Sequence, residues 1–219
     1  MDSSGNLNFR DPSIEEFDTT IHLAHAAKQA AERNYDDFLI VDVDCHHYET
    51  ESFAQIIPFI EDPVIRYEAT QQGWGRPGIA TVDASYQKTG GRFVRYNGRH
   101  HEKAPPSPHC DITVTKRFMD AMGVDYACLF PTPMLLIGMN ARVETEVALA
   151  RAYNRWFCET VLANEPRIKS MLYLPFNDPV ACLKVVEEFG DKKGVIGFMV
   201  TAPHYKSVHD NAYVKTYAA

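Results

Sequence analysis

Short apolar runs of strand length recur along this chain, and polar or turn-forming residues bound each of them. Four stretches have this character: 39–44, 126–131, 168–174 and 195–200. Elsewhere, apolar residues recur every three or four positions, the spacing that gives a helix one buried side. This spacing predicts helices over 13–34, 112–122, 141–164, 180–189 and 208–219. From residue 112 onward, helix and strand therefore alternate.

Strands that are apolar almost throughout and alternate with helices are typical of a parallel sheet covered by helices. Neither G-x-G-x-x-G nor G-x-x-x-x-G-K-[ST] follows any of the strands, which removes the commonest reasons for a doubly wound sheet. Polar residues instead gather just past the strand ends, where barrels carry their active sites. The pattern favours an α/β fold of the (β/α)8 TIM-barrel type. We expect the strand order one-two-three-four, with helices on one face only.

One long stretch interrupts the alternation after the first strand. Two short helices are predicted over 51–60 and 63–72, and 73–110 contains turn-forming residues throughout. A loop of this length in a compact domain is usually functional. We expect it to cover the carboxyl ends of the strands as a wall or lid, with Trp74 or Arg76 near the opening. Arg76 would suit a substrate that carries a carboxylate.

Composition excludes several classes of protein. The chain has 219 residues, 45% of them hydrophobic, and a net charge of -7 with no basic cluster, so binding to nucleic acid is not expected. No apolar run is long enough to span a bilayer, and the start lacks the layout of a signal peptide, which predicts a cytoplasmic protein. The five cysteines form no C-x-x-C pair and are expected to be reduced and largely buried.

The stretch with the most chemical character is LIVDVDCHHYE, residues 39–49. Because side chains alternate along a strand, we expect two faces, with Leu39, Val41, Val43 and Cys45 on one and Ile40, Asp42, Asp44 and His46 on the other. Carboxylate and imidazole are ordinary ligands of zinc or manganese, so Asp44 and His46 together predict a divalent metal site. The alternative is a hydrogen-bonded pair that only orients a loop.

Other polar residues near strand ends are weaker candidates. His47 is close enough in sequence for proton transfer, as a catalytic residue, although alternation directs it away from the metal face. His204, just after the fourth strand, could bind an acidic substrate or be an exposed loop histidine. His109 and Cys110, with two further histidines of the insertion, could form a second zinc site. Their spacing matches no standard closed site, which favours surface histidines.

Several segments together resemble a known family: VDVDCHHYE, FMDAMGVDYACLFPTP, AYNRWFCE, and RIKSMLYLPFNDPVACLKVVEEF followed by GVIGFMV. From about residue 38 to the end, the chain is similar to the amidohydrolase-related (amidohydrolase 2) proteins, in particular the aminocarboxymuconate-semialdehyde-decarboxylase-like group. The resemblance implies a metal-dependent barrel that performs hydrolysis or non-oxidative decarboxylation of a small substrate. The family carries His-x-His, or a carboxylate in the first place, after strand one, and this position is Asp44-x-His46 here.

The resemblance covers only the first half of such a barrel. Ligands that the family carries after strands five, six and eight have no counterpart, and no bridging lysine follows strand four, so one divalent ion, zinc or manganese, is expected. We divide the chain into a helical lead-in, 1–37, and a partial barrel, 38–219, with an insertion at about 51–110. A chain cut after about four β/α units is expected to self-associate and to be inactive alone. The alternatives are a non-catalytic fragment and a metal-free, ligand-binding half-barrel.

Overall fold

Four parallel strands form one sheet in the order β1-β2-β3-β4. This computed structural model describes residues 19–47, 49–72, 109–202 and 204–219. The strands are β1, Val41–His46; β2, Tyr126–Phe130; β3, Ile168–Tyr173; and β4, Val195–Met199. The predicted strands and their order are confirmed, with ends that differ by at most two residues.

Seven α-helices lie in the described part of the chain. They are α1, Thr19–Glu32; α2, Phe53–Ile56; α3, Pro63–Gln72; α4, Cys110–Met122; α5, Val143–Phe157; α6, Pro179–Phe189; and α7, Val214–Ala218. A π-helical turn, Cys158–Leu162, continues α5, so the long predicted helix is present with a change in winding. The helix predicted over 208–219 is shorter than expected, because a 3-10 turn, Asn211–Tyr213, precedes α7.

Local sequence explains where α6 begins and where α4 ends. The Asp178 side chain accepts hydrogen bonds from the backbone N–H groups of Val180 and Ala181 at the start of α6, as a helix cap does. Helix α4 ends at Gly123, which has a positive φ of 69°. A Cβ atom at Gly123 would lie 2.9 Å from the Tyr35 Cβ, so glycine is required there for both backbone and space.

Helices α4 and α5 pack on one face of the sheet. Leu129 and Leu172 on this face are fully buried in a cluster with Trp156 and Phe157 of α5. A smaller cluster joins Ala127 of β2 to α4. Among the described residues, no helix packs on the opposite face, and we call that face the open face. The described part of the chain is thus an α/β fold with a four-stranded parallel sheet, and its closure into a barrel stays a prediction.

The open face has a mixed lining. The Lys169 Nζ lies 5.5 Å above the Tyr126 ring centroid, and the Met171 side chain approaches Gly197 of β4. Leu129 and Leu172 do not line this face, because both belong to the core beneath the helices. Their neighbours in sequence occupy the open face instead, as alternation along the strands requires.

Strand β1 departs from simple alternation. Its pairing with β2 shifts register between Asp42 and Cys45, and Ile40 and Cys45 both pack against the cluster near α4. We predicted these two residues on opposite faces, and that prediction was wrong because the irregularity adds a residue to one strand. The faces of the side chains at the carboxyl end of β1 therefore have to be counted from the residues that follow the irregularity.

Two composition-based expectations can be compared with the structure. Cys128, Cys158 and Cys182 are free and buried, as predicted, whereas Cys45 and Cys110 are only partly buried. Among the described residues, no helix has both the length and the apolar character needed to cross a bilayer. The predicted lid, with Trp74 and Arg76, lies outside the described residues, and the predicted division into lead-in and barrel stays a prediction.

The one-sided core predicts how substitutions in the sheet affect stability. We expect Leu172→Ala to lower the free energy of unfolding by about 2–5 kcal/mol, because it leaves a cavity beneath α5. Ile196→Ala, in the neighbouring strand, is a matched control because Ile196 is largely exposed. Urea unfolding followed by circular dichroism measures both. Equal losses from the two substitutions would contradict the assignment of the buried face.

Candidate functional site

Asp44 and His46 meet at the carboxyl end of β1. The His46 Nε2 lies 3.1 Å from the Asp44 Oδ1, and both side chains are substantially exposed. The His46 ring also lies 5.9 Å from the Phe130 ring, centroid to centroid, across the adjacent strand. The expected proximity of the pair is therefore confirmed. Its role as a set of metal ligands stays a prediction.

The second ring nitrogen of His46 is held by the loop after β2. The His46 Nδ1 lies 3.0 Å from the backbone carbonyl oxygen of Pro131, and the Thr132 hydroxyl is 3.4 Å from the same nitrogen. A carbonyl oxygen only accepts, so the Nδ1 carries the proton. The Nε2, on the other side of the ring, faces the carboxylate of Asp44.

His47 points the opposite way, into the helix-covered side. Its side chain is fully buried, and its ring stacks on Phe157 with centroids 4.8 Å apart. The His47 Nε2 is 2.7 Å from the Tyr153 hydroxyl, and the Nδ1 is 3.2 Å from the Asp111 Oδ2. Burial raises the pKa of Tyr153 well above its usual value, so the phenol stays protonated and donates to His47.

This placement bears on the role of His47. The sequence pattern directed it away from the metal face, and the structure agrees with that direction. Its polar contacts are to buried groups on α4 and α5 rather than to the Asp44–His46 pair. A part in proton transfer stays a prediction. The geometry favours a positioning role, in which His47 fixes the backbone next to His46.

Glu49 is a fully buried carboxylate beside this network. Its two oxygens accept hydrogen bonds from the backbone N–H groups of Thr132, at 3.0 Å, and Met134, at 2.5 Å. Burial raises the pKa of Glu49 to about 8, although the backbone hydrogen bonds act in the opposite direction. Glu49 therefore holds the loop after β2, the same loop whose carbonyl orients His46.

A second buried carboxylate lies near the ends of β3 and β4. The Glu146 Oε2 accepts a hydrogen bond of 2.8 Å from the Asn177 side chain, and the Tyr173 hydroxyl lies 3.4 Å from the Glu146 Oε1 and 3.3 Å from the Thr201 hydroxyl. Burial raises the pKa of Glu146, and the hydrogen bond from Asn177 opposes that rise. Sequence reasoning missed Glu146, which lies one helical turn before the buried Ala150 of α5.

Three consecutive residues at the start of α4 form another group with metal-ligating side chains. Ligand atoms of His109, Cys110 and Asp111 lie within 4.8 Å of one another. The His109 Nδ1 accepts from the backbone N–H of Asp111, and the Asp111 Oδ2 lies 3.4 Å from that nitrogen. His109 is only slightly exposed, so the expectation of a surface histidine was wrong for this residue. Asp111 was not among the predicted candidates.

The two predicted substrate-binding residues have different outcomes. Arg76 lies outside the described residues. The His204 Nδ1 is 2.5 Å from the backbone carbonyl oxygen of Lys206, and its ring meets that of Phe176 edge-on at 5.0 Å. His204 therefore contacts both its own loop and Phe176, which follows β3. Contact between His204 and a substrate stays a prediction.

Of three comparisons with known proteins, the one with solved structures found matches. No protein-family profile matches the chain, and no curated protein matches it. Among solved structures, the chain is similar to a protein described as an amidohydrolase II, with a TM-score of 0.46 and 14% sequence identity. The alignment covers 82% of this chain and 46% of that protein, so the chain spans less than half of the neighbour's length. A likeness of this size does not establish a family.

The raised pKa of Glu49 predicts a specific pH dependence of stability. Because the folded value, about 8, exceeds the usual value of 4.5, the contribution of this group is full below pH 4.5 and is lost as the pH rises toward 8. In Glu49→Gln, which does not titrate, the unfolding free energy should fall less over this range. Urea denaturation at several pH values between 4.5 and 8.5 measures the difference.

Glu49→Gln should also lower the free energy of unfolding by an amount that does not depend on pH. Two backbone N–H groups donate hydrogen bonds to Glu49, and the glutamine amide would place its own N–H donor against one of them. This loss should destabilise the fold by about 1–3 kcal/mol. Glu187→Gln is the matched control, because Glu187 is an exposed carboxylate on α6. Parallel pH profiles for the wild type and Glu49→Gln would count against an unusual titration at Glu49.

Proposed function

We propose that this chain is part of a metal-dependent enzyme of the amidohydrolase-related kind, in which Asp44 and His46 bind one divalent ion. The observation that supports this most directly is the contact between the His46 Nε2 and the Asp44 Oδ1. The resemblance in the sequence supports the same proposal. The reaction we propose is hydrolysis, or loss of carbon dioxide, at a small substrate that carries a carboxylate.

The chemistry of the donor set fits a divalent cation. The Nδ1 of His46 is held by the Pro131 carbonyl, and its Nε2 faces a carboxylate oxygen of Asp44. When the Nε2 carries no proton, both of these atoms are acceptors. Two acceptors at this distance repel unless a proton or a cation lies between them. Metal-binding histidines commonly donate their other ring N–H to a carbonyl in this way, which fixes the tautomer. Zinc and manganese both accept one imidazole and one carboxylate.

Each residue then has a defined task. A divalent ion at this site would polarise a substrate oxygen or lower the pKa of a bound water. Asp44 and His46 would hold the ion, and the Pro131 carbonyl keeps the His46 lone pair directed outward. Glu49 holds the loop that contains Pro131 and Thr132 in place. His204, after β4, is the residue that we propose for contact with an acidic substrate.

A metal-free binding module is the second candidate. A protonated His46 would donate to Asp44 at the same distance and form an exposed ion pair. Exposed pairs of this kind contribute little to stability, typically about 0.2–1 kcal/mol. In that case, the open face would bind a ligand without a metal. The state of the His46 Nε2 therefore separates the two candidates.

Metal titration tests the first candidate. We expect the metal-stripped protein to take up one equivalent of zinc or manganese per chain, measured by calorimetry and by elemental analysis after dialysis. Asp44→Asn and His46→Gln should each weaken uptake by about tenfold or more, because a ligand is lost. Asp191→Asn and His209→Gln are matched controls at exposed positions and should bind as the wild type does.

Two further measurements make the result specific. Nitrogen-15 chemical shifts of His46 should change on metal addition, from a free Nε2 to a coordinated one, while the Nδ1 stays protonated. His109→Gln tests whether the metal binds instead to the His109–Cys110–Asp111 group at the start of α4. If metal uptake survives His46→Gln and is lost in His109→Gln, the ion belongs to that group and the assignment to Asp44 and His46 is wrong.

A further inference from the structure

A groove lies between helices α3, α5 and α6 in the helical layer. Its lining comes from the segment before α3 and the start of that helix, from the first half of α5, and from Asp178, which caps α6. The groove has a volume of about 280 Å³, and its lining residues all belong to the described part of the chain. Asp44 and His46 do not line it, so its role is independent of the proposed function.

The floor of the groove is apolar. Ile65 is buried and belongs to the main core, and Phe59 and Ala148 are partly buried against the same core. Val147 completes the floor from α5. Methylene groups that covered these side chains would leave water, which is favourable in proportion to the apolar area covered. The floor therefore suits an aliphatic chain.

The rim of the groove is acidic. Glu61, Asp62 and Glu144 are exposed and Asp178 is half-buried, and Arg151 is the basic residue in the lining. The Glu61 Oε2 lies 2.7 Å from the Arg151 Nη1, so Glu61 is already paired. Within the described ranges, no cationic side chain pairs with Asp62, Glu144 or Asp178. The groove therefore carries an excess of negative charge.

The carboxylates of the rim are spread around the groove and do not converge. In the part of the chain that the structure describes, the three metal-ligating side chains within 4.8 Å of one another lie at the start of α4, and the acids of the groove form no such group. The Asp62 and Asp178 Oδ1 atoms also accept backbone hydrogen bonds at the starts of α3 and α6. A hard metal ion needs several oxygens that converge at about 2.0–2.6 Å. The distribution of charge suits an extended cation instead.

Ion pairs hold the walls of the groove together. The Arg142 Nη1 lies 2.7 Å from the Glu68 Oε2 and joins the start of α5 to α3. Arg151 joins α5 to Glu61 and, through its Nη2, to the Glu188 Oε2 of α6 at 2.9 Å. A groove whose walls are set before the ligand arrives costs less to occupy than one that must form on binding.

We infer that this groove binds a linear aliphatic polyamine, in which methylene groups separate two or more ammonium groups. The methylene groups would cover the apolar floor, and the ammonium groups would lie near Asp62, Glu144 and Asp178. A chain with several separated charges matches both features of the groove, whereas a compact ion would leave the floor uncovered. Charge complementarity of this kind gives a ligand specificity.

The size of the groove favours a small molecule over a protein partner. Pockets for small molecules have volumes of about 300–1,000 Å³, and this groove lies near the lower end of that range. A stable protein–protein interface needs about 800 Å² of surface from each partner. A single lysine side chain from a partner would fill the groove but would place one ammonium group among three carboxylates.

Calorimetry with a series of amines tests the inference. We expect the purified chain to bind one equivalent of spermidine. Putrescine should bind more weakly and butylamine more weakly still, because each carries fewer ammonium groups. Butanediol, which has the same carbon chain as putrescine and no charge, should not bind. Added salt should weaken the binding of spermidine, because salt screens exposed charges.

Two substitutions place the ligand in the groove. Glu144→Gln should weaken spermidine binding by about two- to fivefold, the effect of losing one exposed ion pair. Glu187→Gln is the matched control, because Glu187 is an exposed carboxylate on α6 that does not line the groove. Val147→Phe should abolish binding without a change in charge, because the larger ring fills the groove. Circular dichroism checks that each variant folds.

Several results would overturn the inference. Equal binding of Mg²⁺ and spermidine at the same ionic strength, or equal losses from Glu144→Gln and Glu187→Gln, would indicate diffuse attraction to an acidic protein. Unchanged binding in Val147→Phe would place the ligand elsewhere. A lysine-containing peptide that binds when spermidine does not would indicate a protein partner. Asp44→Asn should bind spermidine as the wild type does, so this result and the metal titration are judged separately.

Discussion

The structure around β1 depends on two consecutive histidines that point to opposite sides of the sheet. The backbone N–H of His47 donates to the carbonyl of Phe130, which extends the β1–β2 ladder by one residue. The His47 ring then enters the aromatic cluster of α5, where Tyr153 and Asp111 satisfy both of its nitrogens. Releasing this ring would leave buried polar groups without partners. Because His47 is fixed inward, His46 must point outward.

The second constraint acts through the loop after β2. Glu49 is buried at a cost in desolvation, and its carboxylate recovers part of that cost from two backbone N–H groups in the loop. That loop supplies the Pro131 carbonyl that holds the His46 Nδ1. The buried Glu49 side chain thus helps to hold the loop that orients the His46 ring. We therefore expect a substitution at Glu49 to change the orientation of the His46 ring.

Much of the fold could be predicted from the sequence because its signals are local and repeated. Apolar runs located all four strands, and helical spacing located the helices that lie between them. The register shift in β1 could not be predicted, because no residue between Asp42 and Cys45 has a distinctive backbone requirement. The exposure of Val43 was also missed. An apolar strand pattern indicates burial on average, and it does not show which single side chain is exposed.

The site was predicted in part for a similar reason. Asp44 and His46 lie two residues apart, so a strand periodicity suffices to bring them together. The contacts of Glu49 with Thr132 and of His47 with Tyr153 join residues more than eighty positions apart, and a single sequence carries no signal for such pairs. Glu146 had a signal that was overlooked, because it lies at helical spacing from the apolar residues Leu149, Ala150 and Tyr153, and a carboxylate in such a position requires a partner.

The two groups of metal-ligating side chains differ in what an ion could do in them. His109, Cys110 and Asp111 offer three ligands, but they lie at the start of a helix, where the backbone dipole disfavours a cation, and Asp111 is fully buried. An ion there would have one fully buried ligand and two partly buried ones. The Asp44–His46 pair offers only two ligands, yet it lies on the open face, where water and substrate can complete the coordination. Catalysis requires an open coordination position, so the poorer ligand set is the better candidate for chemistry.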